Sequence, residues 1–263
     1  MPSVAFCRGP DLMSEDSPLQ SVPSPPNLLT QYLKNVRGAV PLAIEQIETM
    51  LGLINAAGER VECFLDLGCG DGVLTGAILE EHPESRAVVL DLLPGVTGVA
   101  RGNLHEFPGR VTYVQADIAH PRWMEALSPN GKVDAIVCGF ALQPLSDDRK
   151  QALYRELFAL LRPEGVFLNI EHVASATRWS ESVWDDTMIT ALFGNEIQEH
   201  PHMNRAEIAR EYYEKARGEV SRCAPFEVQL DWLRATGFIN VDCYLKVQEQ
   251  ALFGGQRPKV VER

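Results

Sequence analysis

Apolar residues in this chain form short continuous runs that alternate with stripes of helical period. The runs predict five strands, which we place at 61–67, 87–91, 111–117, 133–138 and 166–170. Runs this apolar, separated by helical segments, indicate a parallel sheet covered on both faces. Two later runs, at 238–245 and 250–254, predict a terminal strand hairpin. The pattern therefore predicts an α/β fold built on a doubly wound, seven-stranded, mostly parallel sheet whose last strand is antiparallel.

The first predicted strand continues into the sequence Asp66-Leu67-Gly68-Cys69-Gly70-Asp71-Gly72 and then into a helix predicted at 73–81. Glycine leaves no Cβ between the main chain and a ligand, so an adenosyl group can lie directly against such a turn. The dinucleotide fingerprint is G-x-G-x-x-G, whereas the spacing here is D-x-G-x-G-x-G. An acid at the strand's end would repel a pyrophosphate but attract an ammonium group. At this point the chain resembles the class I S-adenosylmethionine-dependent methyltransferases, whose first motif has this form.

The resemblance implies S-adenosyl-L-methionine as the cofactor and a Rossmann-like core that binds it at the carboxyl ends of the strands. An acid after the second strand can accept hydrogen bonds from both ribose hydroxyls, and a carboxylate with an apolar neighbour after the third resembles the family's adenine clamp. The predicted cofactor-binding residues are Asp66, Gly68, Cys69, Gly70, Asp91, Leu92, Asp117, Ile118, Gly139 and Phe140.

The segment after the fourth predicted strand, 138–145, bears on the acceptor. It lacks the Asn/Asp-Pro-Pro-aromatic motif with which base-methylating enzymes hold a flipped base. It resembles small-molecule methyltransferases instead, although Gln143-Pro144 departs from their common Leu-His-His-Leu pattern. His172, after the fifth strand, stands nearest the expected methyl group, and its ordinary pKa near 6.5 suits proton removal. We therefore predict His172 as the catalytic residue.

The residues that follow His172 break the alternation of strand and helix and are rich in aromatic side chains. Because inserts at the strand-end rim build substrate pockets, we interpret 173–223 as a helical lid. The predicted substrate contacts are Trp179, Trp184, Arg210 and Tyr213. The other predicted divisions are a flexible tail at 1–26, N-terminal helices at 27–57, the cofactor-binding core at 58–172, and a C-terminal helix with the strand hairpin at 224–263.

The composition of the chain limits the classes of partner that it can bind. The 263 residues include 24 Lys and Arg against 36 Asp and Glu, a formal net charge of −12, which argues against a broad nucleic-acid surface. No apolar run reaches the ~18 residues of a membrane helix and no signal pattern opens the chain, so we expect a soluble cytoplasmic protein. The six cysteines contain no C-x-x-C pair, so we expect no metal site. A small-molecule acceptor is the expected partner, and a homodimer is left open.

The main hypothesis is methyl transfer to a small molecule by in-line displacement, and three alternatives stay open. The chain distantly resembles carboxy-S-adenosylmethionine synthase, and a similar site would need a cation facing the added carboxylate, for which Arg178, Arg205 and Arg210 are candidates. Two segments near the C-terminus, 233–238 and 251–255, also resemble the C-terminal parts of bacterial methyltransferases that are close to the tRNA wobble-uridine modification group. The remaining alternatives are a non-catalytic cofactor-binding module and an NAD-dependent dehydrogenase. The sequence identifies neither the acceptor nor its nucleophilic atom.

Overall fold

The computed structural model describes residues 42–58, 60–127, 131–199, 202, 204–218 and 223–259. The predicted tail at 1–26 and the first of the predicted N-terminal helices lie outside the described residues. The strands are β1 Cys63–Leu67, β2 Arg86–Asp91, β3 Val111–Gln115, β4 Val133–Gly139, β5 Leu161–His172, β6 Ile239–Val247 and β7 Gln250–Gln256. The helices are α1 Ala43–Ala57, α2 Val73–Glu81, α3 Pro94–Asn103, α4 Asp147–Leu160, α5 Arg178–Glu199, α6 Arg205–Gly218 and α7 Phe226–Thr236.

The seven strands form one sheet in the order β3-β2-β1-β4-β5-β7-β6. Strands β1 to β5 pair in parallel, whereas β7 runs antiparallel to both of its neighbours, β5 and β6. The strand order reverses between β1 and β4, and ligands of such sheets bind at this reversal, outside the carboxyl ends of the strands. The predicted fold class is therefore confirmed.

Helices cover both faces of the sheet, which explains why the inner strands are apolar on both sides. On one face, α1 contributes Ile47, Met50 and Ile54 to a buried cluster that also includes residues of α2 and α3. On the other face, the apolar stripes of α4 and α7 pack on β4, β5 and β7, with Leu153 and Leu233 fully buried. Each face thus has its own hydrophobic core, and together they hold the strand ends in register.

The boundary between α4 and β5 differs from the prediction. We predicted the fifth strand at 166–170, but β5 begins at Leu161, directly after α4. The reason is tertiary: the main chain of Arg257 bonds to that of Glu164 (2.9 Å) and of Gly165 (2.8 Å) and draws the segment into the sheet. Glu164 takes a positive φ of 68° there, and the register of β4 against β5 shifts after Val133.

The insertion between β5 and α7, which we call the lid, consists mainly of α5 and α6. Its apolar contacts bury Trp184, Ile189 and Ile208. The two ends of the insertion meet beside the sheet, because the amide of Ala174 donates to the carbonyl of Ala224 at 3.3 Å. No described helix, in the lid or elsewhere, has both the length and the apolar composition needed to cross a membrane.

Candidate active site

The glycine turn after β1 lies at the strand-order reversal. The amides of Gly68 and Cys69 both donate to the carbonyl of Leu90 on β2, at 2.8 and 3.0 Å. Gly68, Gly70 and Gly72 all have positive φ, of 71°, 55° and 84°, a region that other residues enter only with strain. A Cβ added at Gly68 would overlap the Cβ of Ala141, in the loop after β4. The turn is therefore closely packed against that loop, whereas the motif predicted only that a ligand can approach the turn.

Asp66 supports this turn from below. Its side chain is fully buried, and one carboxylate oxygen accepts a hydrogen bond from the Thr75 hydroxyl of α2 at 2.6 Å. We predicted that Asp66 would attract the ammonium of the cofactor. No surface of the residue is exposed, so the predicted attraction of Asp66 for the ammonium stays a prediction.

Cys69 has the environment of an inert thiol. It is buried inside the turn, and burial, followed by the nearby charges of Asp66 and Asp91, raises its pKa far above the ordinary value. A thiol that stays protonated is a poor nucleophile. Cys69 thus acts as a small residue of the turn, in keeping with the predicted cofactor-lining position.

Asp91, at the end of β2, is joined to the glycine turn. Its carboxylate accepts hydrogen bonds from the amides of Gly70, at 3.2 Å, and Leu93, at 3.1 Å. The next two side chains, Leu92 and Leu93, are 52% and 56% exposed. Two adjacent leucines left open beside a half-buried carboxylate form a surface suited to a ligand with an apolar ring and hydroxyl groups.

The predicted adenine clamp lies at the end of β3. Asp117 is exposed, and its carboxylate accepts the amide of Ala119 at 2.8 Å. Ile118 is half-buried against the core, and its carbonyl accepts a hydrogen bond from the Arg149 guanidinium at 2.7 Å. Arg149 also pairs with Glu156 at 2.6 Å, so α4 fixes the position of this segment.

Gly139 and Phe140 end β4 and turn the chain toward the cofactor side. Phe140 has a positive φ of 57°, unusual for a bulky residue, and its amide donates to the carbonyl of Ile170 on β5 at 2.8 Å. Strained residues of this kind persist where the surrounding structure holds them, and they cluster at binding sites. Phe140 is half-buried, which leaves part of its ring open at the rim.

His172, the predicted general base, ends β5 in a strongly polar setting. Its Nε2 lies 2.5 Å from the Oε2 of Glu249, in the turn between β6 and β7. Burial by itself would lower the pKa of His172, but hydrogen bonds with Cys223 and Glu249 outweigh it and raise that pKa to about 10. At neutral pH the ring is therefore an imidazolium. This protonation does not suit removal of a proton, although the position at the strand end agrees with the prediction.

Among the predicted substrate contacts, only Trp184 packs against a strand end. It is 3% exposed, and its ring centroid lies 5.6 Å from that of His172. Trp179, five residues earlier on α5, is 77% exposed. On α6, Arg210 is exposed, and Tyr213 stacks edge to face on Tyr212, with 5.5 Å between the ring centroids. These three residues line no buried surface.

The arrangement around His172 includes residues that the sequence patterns did not single out. Glu249 and Cys223 come from segments far along the chain, and neither belongs to a local motif. Glu171 is fully buried beside His172 and accepts amides from two segments. The one available signal for Glu171 was a charged residue directly after the mostly apolar run at 166–170.

Comparison with known proteins agrees with this geometry. A family model described as a methyltransferase domain matches residues 64–165, which hold β1 to β4 and the strand-end acids. Residues 64–165 thus carry a methyltransferase domain, and the enzyme is an S-adenosylmethionine-dependent methyltransferase. Its cofactor is S-adenosyl-L-methionine, so this methyltransferase is not the dehydrogenase that the glycine turn also allowed.

Relatives and solved structures agree in fold and differ in acceptor. The chain is 28% identical over 211 residues to a trans-aconitate 2-methyltransferase of Escherichia coli, covering 74% of this chain and 75% of the relative. An O-methyltransferase family protein from Burkholderia thailandensis superposes with a TM-score of 0.57 at 16% identity, over 88% of this chain and 63% of that one. Human N-acetylserotonin methyltransferase, solved with its cofactor, has a TM-score of 0.54 at 14% identity, over 88% and 55%. This chain thus spans less than two thirds of those two solved chains.

The described residues fit the cofactor. The turn at Gly68 would lose its packing if a Cβ were present, Asp91 offers a carboxylate, and the open leucines beside it offer an apolar surface. No group of three or more metal-ligating side chains occurs among the described residues.

Proposed function

We propose that this methyltransferase transfers the methyl group of S-adenosyl-L-methionine to a carboxylate oxygen of a small organic acid. The observation that carries the proposal is the imidazolium of His172, held by Glu249 at 2.5 Å at the end of β5. A phenol or a protonated amine must lose a proton before or during methyl transfer, and this ring has no capacity to accept one. A carboxylate is already ionised at neutral pH.

Electrostatics favour the same acceptor. An imidazolium at the rim attracts an anion, and its lid neighbour, Trp184, limits the access of water to that charge. The pair of His172 and Glu249 is neutral as a whole, so the site does not add to the net charge of −12 that would repel an anionic acceptor. The 28% identical relative is named for trans-aconitate, a small polycarboxylate, which supports this class of acceptor.

In the proposed reaction the chain chiefly binds and orients. When bound, S-adenosyl-L-methionine supplies an electrophilic methyl group on a sulfonium. The acceptor oxygen forms the new C–O bond while the S–C bond breaks, its electron pair stays on sulfur, and no proton is released. We assign Asp91 to the ribose, Leu92 and Ile118 to the adenine, and the glycine turn to the methionine part. His172 orients the acceptor, so the protein's contribution is positioning.

The alternative that modifies the cofactor needs a free cation near the methyl group. Its candidates lie on the lid: Arg178 and Arg210 are exposed, and Arg205 is paired with Asp186. None of them is buried at the strand ends. The polar cluster of His172 and Glu249 therefore favours an acceptor acid over a carboxylated cofactor.

The test is a panel of acceptors with cofactor labelled in its methyl group. Small dicarboxylates and tricarboxylates, including trans-aconitate, are compared with catechol, a simple phenol and a primary amine. We expect label only in the acids, as a methyl ester that releases methanol on mild alkaline treatment. Proton release, followed with a pH indicator, should be absent. Label that resists alkali, or turnover on the phenols alone, would contradict the proposal.

A further inference from the structure

The loop after β4, residues 140–145, lies between two fully buried ionisable side chains. Glu171, on β5, accepts the amide of Leu142 through its Oε2 at 2.8 Å. Lys150, on α4, donates from its Nζ to the carbonyl of Gln143 at 3.3 Å. Both side chains are about 1% exposed. The Glu171 carboxylate thus binds the amide of Leu142, and the Lys150 ammonium binds the carbonyl of the next residue, Gln143.

Glu171 also holds a second segment. Its other oxygen, Oε1, accepts the amide of His172 at 2.9 Å. One buried carboxylate therefore joins the loop after β4 to the end of β5, through two charge-assisted hydrogen bonds. The loop lies under the cofactor's glycine turn through the contact of Ala141 with Gly68, whereas His172 lies on the acceptor side.

Stability alone does not explain this arrangement. Burying two ionisable groups costs several kcal/mol each, and apolar residues of similar volume often serve as well. The cost of burying these two groups is explained if they serve to hold two backbone segments at a fixed separation. Methyl transfer needs that separation, because the acceptor must lie in line with the methyl group.

We propose that Glu171 and Lys150 are positioning residues that fix the loop 140–145 and His172 relative to each other, and so set the distance between cofactor and acceptor. The proposal rests on methyl transfer as the function. Neither side chain touches the reacting atoms, since both are buried below the rim.

The ionisation of Glu171 offers a specific readout. Burial raises its pKa to about 7, while the amides of His172 and Leu142 and the charge of Lys150 act to lower it. The titratable groups that face it are Lys150 and Tyr154 from α4 and its neighbour His172. The pKa of Tyr154 is raised well above its ordinary value by burial, and that of His172 lies near 10. Between pH 6 and 8, Glu171 thus changes charge, whereas His172 and Tyr154 keep theirs.

The experiment compares Glu171→Gln and Lys150→Met with the wild type and with Glu227→Gln, which makes the same change at an exposed carboxylate on α7. In the wild type, kcat should fall below about pH 7 as Glu171 takes up a proton. Glu171→Gln should lower kcat by about tenfold or more and abolish this pH dependence. Lys150→Met should move the pH midpoint upward. Glu227→Gln should match the wild type.

Hydrogen exchange provides a readout that does not need turnover. Glu171→Gln should lower the protection factors of the Leu142 and His172 amides at least about tenfold, while amides in the centre of the sheet keep theirs. If every amide loses protection equally, or if the two amides and the pH profile are unchanged, the positioning role is wrong. Should Glu171→Gln fail to fold, Lys150→Met decides by the same loop amides and pH midpoint. A wild type without turnover would refute the proposed function only, because the exchange result still decides this inference.

Discussion

The cofactor side and the acceptor side of this methyltransferase are built differently. The cofactor side consists of a turn and strand ends that follow one another within 64–118, and its contacts are mostly made by the main chain. The acceptor side brings together the end of β5, the end of the lid and the turn between β6 and β7. These segments are joined by main-chain bonds, such as that from Val173 to Glu249 at 2.7 Å, and by the side-chain pair of His172 and Glu249. The first region therefore depends on backbone conformation, and the second on the docking of distant segments.

The sharpest test of the cofactor side is Gly68→Ala. The added Cβ would overlap Ala141, and the residue would keep a strained φ of 71°. We expect the affinity for S-adenosylhomocysteine, measured by calorimetric titration, to fall by roughly 10³-fold, or binding to be lost. The matched control is Gly98→Ala, in the exposed part of α3, where nothing lies within 4 Å of the new Cβ. Equal losses at both positions would mean that the turn has no special packing.

Two tryptophans of the lid test the acceptor side. Trp184→Ala removes a buried ring that packs on His172, and we expect the free energy of unfolding to fall by about 3–5 kcal/mol. Trp179→Ala, on the same helix, removes an exposed ring and should change stability by less than about 0.5 kcal/mol. Urea unfolding followed by circular dichroism measures both. A larger effect at Trp179 would show that the lid docks through its other face.

Asp91→Ala tests whether side chains matter on the cofactor side. The carboxylate holds the amides of Gly70 and Leu93, and we propose that it also binds the ribose. Removing it should weaken S-adenosylhomocysteine binding by about 1.5–3 kcal/mol, the range for a hydrogen bond to a charged group. Asp231→Ala, at an exposed position on α7, is the control. Affinity equal to that of the wild type would remove Asp91 from the cofactor site.

Glu249→Gln tests the charge of His172. Because its pKa is raised from 6.5 to about 10 in the folded protein, the stability contributed by the charged ring is complete below about pH 6.5 and is lost as the pH rises toward 10. The variant should lower the pKa of His172 by about one unit or more, seen in the NMR titration of its ring protons. Thermal stability should then fall less steeply between pH 7 and 10. An unchanged titration would assign the raised pKa to other groups.

Some features that these variants test could be predicted from the sequence, and others could not. The alternation of strands and helices, the glycine turn and Asp91 were predictable because each depends on residues close in sequence. The start of β5 at Leu161 was not, since a main-chain pairing with Arg257 draws that segment into the sheet. The sequence could not distinguish the roles of Trp179 and Trp184 either. Both lie on one helix, and only the packing of the lid buries Trp184 and leaves Trp179 exposed.

The sequence by itself determined the fold class and the glycine turn, because periodicity and backbone conformation are local properties, and its resemblance to the class I S-adenosylmethionine-dependent methyltransferases implied the cofactor. Only the tertiary structure decided the protonation of His172 and the burial of Glu171 and Lys150. A pKa depends on the hydrogen bonds, charges and solvent around a group, and the partners that raise the pKa of His172 are Cys223 and Glu249, the latter 77 residues away along the chain. Folding brings that carboxylate to 2.5 Å from the ring and turns the predicted base into a cation.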